Sequence, residues 1–275
     1  MTLLHFSKRL WAALFLGALL LPIQSWAQAP VKLYIFDCGE GHAADMSRWT
    51  PGVNVGTPLD VSGNCYLIRH PKGDLIWDTG IPDAVASMPN GIGGQNGAPS
   101  WKRSKTLASQ LEAIGVKPSS IQLLAVSHSH PDHIGNVELF PQATLLIQQA
   151  EYDWPSPLGT PRFKAGHPVK KLSGDYDVFG DGTVTILSTP GHTPGHQCLM
   201  VKLQKTGTVI LSGDLAHFKD NWVNRRVPGG NFSKEQTIAS MQRIANLLDE
   251  TKGQLWINHD KPQTATLKHS PEFYD

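Results

Sequence analysis

The run Ser127-His128-Ser129-His130-Pro131-Asp132-His133 packs four metal-capable side chains between His128 and His133. Imidazole and carboxylate at that density suit zinc or a similar first-row ion. On an extended segment His128 and His130, two residues apart, point to the same side. Asp132 and His133 follow where the chain turns, so they can approach the same point from another direction. A polar loop with chance histidines is the alternative. It loses ground because three more side chains of this kind stand just past apolar runs. His192 follows the run 183–187, Asp214 follows 208–211, and His259 follows Trp256-Ile257-Asn258. Each alone reads as a structural residue; together they share the placement that a site at one edge of a sheet requires.

The elements that must carry these residues are mostly strands. Ile121 to Val126 is an apolar run bounded by turn signals and reads as a buried strand ahead of His128. Val31 to Phe36 alternates and starts the fold, and 40–58 is polar, Gly-rich and loop-like. Hairpins are predicted for 64–69 with 75–77, for 178–179 with 183–187, and for 198–203 with 208–211. Residues 81–101 form a long loop with apolar residues at intervals, either an active-site lid or a surface excursion. Ser104 is placed to cap a helix bearing Leu107, Leu111 and Ile114. Residues 143–147 read as a strand, 148–153 as a short helix, and 254–258 as the last strand. Ser233-x-x-Gln236 is a capping box for a long helix with Thr237, Met241, Ile244 and Leu248 on one face. Strands arriving as hairpins in both halves, with helices between, fit an α+β architecture. That is two mixed sheets face to face with helices outside, rather than a doubly wound sheet.

Of the 275 residues, the first 27 look like an export signal. Lys8 and Arg9 precede an apolar run from Leu10 to Leu21, and Ser25-Trp26-Ala27 offers a small-x-small cleavage pattern. The run falls short of the roughly 20 residues a transmembrane helix needs. The expectation is a periplasmic or secreted protein comprising 28–275 as one domain, with no stable membrane insertion after cleavage. Removing 1–27 leaves 22 basic and 23 acidic residues, so nucleic acid has no electrostatic footprint to bind. The three cysteines, Cys38, Cys65 and Cys198, allow one pair but form no disulfide framework. Cys65 and Cys198 lie in strand-like runs and read as small buried hydrophobes.

With these residues in hand, the chain resembles the metallo-β-lactamase-fold hydrolases. The matching pattern is His128-x-His130-x-Asp132-His133, then His192, Asp214 and His259. The resemblance implies an αββα four-layer sandwich and a dinuclear zinc site, other divalent first-row metals being acceptable. The first ion would take His128, His130 and His192, the second Asp132, His133 and His259, with Asp214 bridging. Asp78 and His196 would orient ligands through hydrogen bonds, His196 being as readily a purely structural residue.

Within that superfamily the nearest likeness is to the N-acyl-homoserine lactonases. It rests on Leu33-Tyr-Ile-Phe-Asp-Cys-Gly39 and on Gly63-Asn-Cys-Tyr-Leu-Ile68 before Asp78-Thr-Gly80. It implies an exported lactonase whose ring opening is driven by a metal-bridging hydroxide, with Asp132, Asp214 and His217 around the reaction. Many such lactonases carry a tyrosine where this chain has His217, which leaves His217 as a replacement donor or general acid. The substrate would be a small molecule with an apolar acyl chain, and a homodimer is compatible. Candidate walls are Met46, Trp49, Met88, Ile92, Trp101, Phe163, Phe218 and Trp222. The rivals are hydrolysis of another ester, β-lactam, thioester or phosphodiester, a persulfide dioxygenase with one iron, and a non-catalytic periplasmic metal-binding protein.

Overall fold

A computed structural model describes residues 30–95, 98–155 and 162–275. The expected signal segment 1–27 lies outside the described residues. The larger sheet contains β1 (Lys32–Ala43), β2 (Leu59–His70), β3 (Gly73–Trp77), β4 (Ile92–Gly93), β5 (Ser100–Lys102), β6 (Leu123–Ala125), β7 (Thr144–Gln148) and β8 (Val169–Leu172). Their order is β4-β5-β1-β2-β3-β6-β7-β8. The smaller sheet contains β9 (Tyr176–Asp177), β10 (Val184–Ser188), β11 (Gln197–Leu203), β12 (Gly207–Leu211) and β13 (Gln254–Trp256), in the order β13-β12-β11-β10-β9. Both are mixed: β3, β6, β7 and β8 run parallel, as do β12 and β13, and the other pairs are antiparallel. This is the two-sheet α+β sandwich the sequence pattern predicts.

Strand alternation explains the layers. Along β1, Leu33 and Ile35 face the second sheet and join Trp77, Ile186, Leu199 and Leu211 in the central core. Tyr34 and Phe36 face the other way, against Leu107 and Leu111 of helix α1 (Leu107–Ala113). On the far side, Met200 and Ile210 of the second sheet meet Met241 and Ile244 of a long helix, Lys234–Thr251. Its Ser233 side chain accepts from the Gln236 N–H at 3.2 Å. The box is half-built, because the Ser233 N–H donates to the Gly191 carbonyl, which ties the helix start to the segment bearing His192.

Several sequence-based expectations need correction. β1 does not stop at Phe36 but runs to Ala43, with a bulge between Asp37 and Gly39. Its glycines read as loop, yet Gly41 pairs with both Val61 and Trp101. A Cβ on Gly41 would lie 2.6 Å from Val61. Thr106, not Ser104, caps α1, accepting from the Ser109 N–H, while Asp83 takes the N–H groups of Leu107 and Ala108. β9 is Tyr176–Asp177 rather than 178–179, and Phe179 leaves the sheet to stack on His70 with centroids 4.0 Å apart. β8 gave no apolar signal because Lys170 and Lys171 face solvent on an edge strand. Cys65 is no free hydrophobe: it is disulfide-bonded to Cys38, the bulged residue of β1, and only Cys198 is free.

The topology also sets where the predicted ligands fall. β10, β12 and β13 share one direction, as do β3 and β6, so their C-terminal ends lie together. Asp78, His128, His192, Asp214 and His259 each follow one of those ends. Among the described residues, no helix is long and apolar enough to cross a membrane.

Candidate metal centre

The strand-end segments bring all seven sequence-predicted ligands to one place. His128, His130, His192 and Asp214 offer donor atoms within 4.8 Å of one another, and so do Asp132, His133 and His259. Asp214 links the two groups through its separate oxygens. Its Oδ2 lies 3.3 Å from His192 Nε2 and 3.6 Å from His128 Nε2. Its Oδ1 lies 3.0 Å from His259 Nε2 and 3.2 Å from His133 Nε2. Asp132 stands farther out, 3.8 Å from His259 Nε2, and is partly open to solvent.

The imidazoles are held from behind, which fixes the nitrogen that faces inward. His133 Nδ1 contacts Asp78 Oδ2 at 3.0 Å, and His128 Nδ1 contacts Ser127 Oγ at 3.0 Å. His192 Nδ1 meets Asn231 Oδ1 at 2.9 Å, and His259 Nδ1 donates to the Ser62 carbonyl at 2.6 Å. Four Nε2 atoms therefore converge. His130 instead presents Nδ1, 2.9 Å from His128 Nε2 and 3.1 Å from His192 Nε2. Asp78 also accepts from the Ser127 N–H at 2.6 Å and adopts a left-handed backbone, φ 57°. Such conformations persist where surrounding contacts enforce them. His196 lies behind Asp214, its Nε2 accepting the Asp214 N–H at 3.0 Å.

Electrostatics fit a cation here. Burial pushes His128 well below its usual pKa, and burial with the neighbouring His192 takes His130 down to about 4. Both rings are thus neutral and offer lone pairs. Burial acts the same way on His133 and His259, but Asp214 and Asp132, with Asp78 beside His133, together outweigh it and their pKa values rise. Burial opposes ionisation of Asp214, yet His259 and His133 hold it well below the usual carboxylate range. The protons drawn onto His133 and His259 balance a charge that a metal ion balances equally, and metal binding displaces such protons. His133 Nε2 and Asp214 Oδ1 are buried and make no hydrogen bond although 3.2 Å apart, as donors aimed at a common point do. The donor set of imidazoles and carboxylates suits zinc.

A cleft of about 600 Å³ opens over this cluster. Of the apolar walls expected from sequence, only Trp49 and Trp101 line it, joined by Val61, Pro99 and Pro228. Met46 and Phe218 pack behind Trp49, Phe163 joins the cluster on the outer face of the larger sheet, and Trp222 packs near the long helix. Met88 is exposed, and Ile92 sits in β4 beside Trp101. Loop aromatics cannot be sorted into core and cleft by residue type alone. His217 lines the cleft with Nε2 3.1 Å from Asp214 Oδ2, while its Nδ1 is buried without a partner. Burial takes its pKa down to about 4. Ser62, Ser127, Asn231 and Arg48, which sits at the rim, had escaped sequence reading. Only Ser127, beside His128, carried a positional hint.

The Metallo-beta-lactamase superfamily description matches residues 59–252. The N-acyl homoserine lactonase AttM of Azorhizobium caulinodans is 33% identical over 265 residues, covering 89% of this chain and 99% of its own. An N-acyl homoserine lactonase from a Bacillus species is 30% identical over 88% of this chain and 98% of its own. A solved N-acyl homoserine lactone hydrolase, with the product N-hexanoyl-L-homoserine at its catalytic metal center, superimposes with a TM-score of 0.76. It is 27% identical and covers 88% of this chain and 98% of that one. The chain belongs to the metallo-beta-lactamase superfamily of metal-dependent hydrolases and within it resembles the N-acyl homoserine lactonases.

Proposed function

We propose that this chain is an exported dinuclear-zinc lactonase that opens the ring of N-acyl-homoserine lactones. The observation that carries the reading is the two donor groups joined by Asp214, in a chain whose relatives are lactonases along nearly their whole length. His128, His130 and His192 would hold one ion, Asp132, His133 and His259 the other, and Asp214 both. When bound, such ions polarise a carbonyl and supply water of lowered pKa. Hydrolysis forms one C–O bond at the lactone carbonyl and breaks the ring C–O bond, and the leaving alkoxide takes a proton to give the open hydroxy acid.

The chain's own residues do the rest. Asp78, Ser127, Asn231 and the Ser62 carbonyl fix imidazole orientation, so little reorganisation remains at the moment of reaction. His217 lines the cleft with Nε2 3.1 Å from Asp214 Oδ2, placed to act as a hydrogen-bond donor or as general acid to the leaving alkoxide. Trp49, Trp101 and Val61 give the acyl chain apolar surface, each buried CH₂ contributing about 0.8 kcal/mol. The Cys38–Cys65 disulfide supports an oxidising compartment, and so export.

The test is kinetics of the zinc-loaded protein on short- and long-chain acyl-homoserine lactones beside an ester, a β-lactam, a thioester and a phosphodiester. The expected result is preferred lactone turnover, with the ring-opened acid identified by mass spectrometry. Preference for any other class, or bound zinc with no turnover, removes the reading.

A further inference from the structure

Glu151 is fully buried in the four-residue helix Gln149–Tyr152, and its carboxylate meets only neutral donors among the described residues. Oε1 accepts from the Ser129 N–H at 2.8 Å and from Ser129 Oγ at 2.5 Å. Oε2 accepts from the Gly195 N–H at 3.1 Å. Ser129 stands between His128 and His130, and Gly195 stands between His192 and His196. Each oxygen therefore holds one ligand-bearing loop. Gly195 comes so close that a Cβ there would lie 2.3 Å from the Glu151 nitrogen. Burying a carboxylate is costly unless donors surround it. Three donors offset that cost here, and charge-assisted hydrogen bonds are stronger than neutral ones.

The other donor group is anchored chiefly elsewhere, although Asp78, which holds His133, also accepts from Ser127 beside His128. His133 is tied to Asp78 and, through its carbonyl, to Thr79, while His259 is tied to Ser62. Glu151 touches neither.

We infer that Glu151 is a positioning residue: its two oxygens set the separation of the loops carrying His128, His130 and His192. Through them it sets how tightly that group alone holds its ion. The second clause rests on reading the cluster as a metal centre. Glutamine cannot substitute fully. Its one carbonyl oxygen can keep the Ser129 donors, but its amide N–H₂ then faces the Gly195 N–H, donor against donor.

The experiment compares wild type with Glu151→Ala and Glu151→Gln in two measurements. Hydrogen exchange on the metal-free full chain reads the clamp itself. Chelator competition with zinc or cobalt reads affinity at each of two ions. Protection is expected to fall at least tenfold in 127–131 and 191–197 for Glu151→Ala, with both sheets unchanged. Glu151→Gln is expected to lose protection chiefly in 191–197, and it carries the test if the alanine variant does not fold. One ion should weaken roughly 10–100-fold and the other hold wild-type affinity. Unchanged exchange in both segments overturns the clamp. So does equal weakening of both ions with protection lost throughout the sheets. If wild type binds no divalent ion, the metal reading fails, and the exchange comparison still decides the clamp.

Discussion

Asp78 and His133 meet across parallel strand ends, Asp78 Oδ2 standing 3.0 Å from His133 Nδ1, while the far nitrogen of the same ring faces Asp214. The carboxylate orients the imidazole from behind and enriches its electron density. Asp78→Asn keeps the shape but loses the charge. It is expected to weaken metal affinity roughly 10–100-fold, with the larger loss at the group of Asp132, His133 and His259. Zinc competition against a chromogenic chelator measures this; wild-type affinity in the variant would show that Asp78 acts only on the backbone of Ser127.

Asp214 serves both donor groups through different oxygens, so its loss should not be confined to one ion. Asp214→Asn is expected to retain at most one tightly bound zinc per chain and to lose lactone turnover by more than about 100-fold, as removing a transition-state electrostatic group does. Elemental analysis after gel filtration, paired with initial rates, checks both halves. Two retained ions with full activity contradict the bridging geometry.

Metal removal should also be visible in stability. A ligand that binds only the folded state at a thousandfold excess over its Kd contributes about 4 kcal/mol. For a chain of this size that corresponds to a Tm drop of roughly 10 °C on chelation, reversed by added zinc. Differential scanning calorimetry before and after chelation measures it; an unchanged Tm would leave the cluster without its cation.

The disulfide joins residues 27 apart in sequence. Closing a loop of that length stabilises by about 3–4 kcal/mol in the chain-entropy account. Cys38→Ser with Cys65→Ser should lower unfolding stability by that amount in urea melts. Thiol titration of the denatured, unreduced wild type should find one thiol, Cys198, and three after reduction.

Trp49 and Trp101 both line the cleft, tilted against His217 and His259 with ring centroids 5.8 Å apart in each pair. Truncating either to alanine should raise KM for long-chain lactones roughly tenfold or more, because a large apolar contact is worth about 1.5–3 kcal/mol. The same change should leave kcat near wild type, since such binding is uniform between ground and transition state. A fall in kcat with KM unchanged would place these rings in the chemistry instead.

Much of this placement was legible in the sequence because side chains that can hold a metal were read at strand ends, which follow local rules. His128, His130, His192, Asp214 and His259 each follow a strand, and strand ends are marked by apolar runs and turn residues. The long helix announced itself through Ser233 and the spacing of Thr237, Met241 and Ile244. What stayed hidden depends on contacts between distant segments. Nothing near Asn231 or Glu151 predicts that they hold His192 and the Ser129 loop. The Cys38–Cys65 bond needed the β1 bulge, which sequence cannot place. The edge strand β8, with its two exposed lysines, lacked the apolar signal from which strands are recognised.

The most direct measurement is anomalous diffraction at the zinc edge from crystals of the zinc-loaded protein. The account predicts two peaks, one among His128, His130 and His192 and one among Asp132, His133 and His259, both in ligand range of Asp214. No peak at these side chains, or a single ion that leaves one group unliganded, would contradict it.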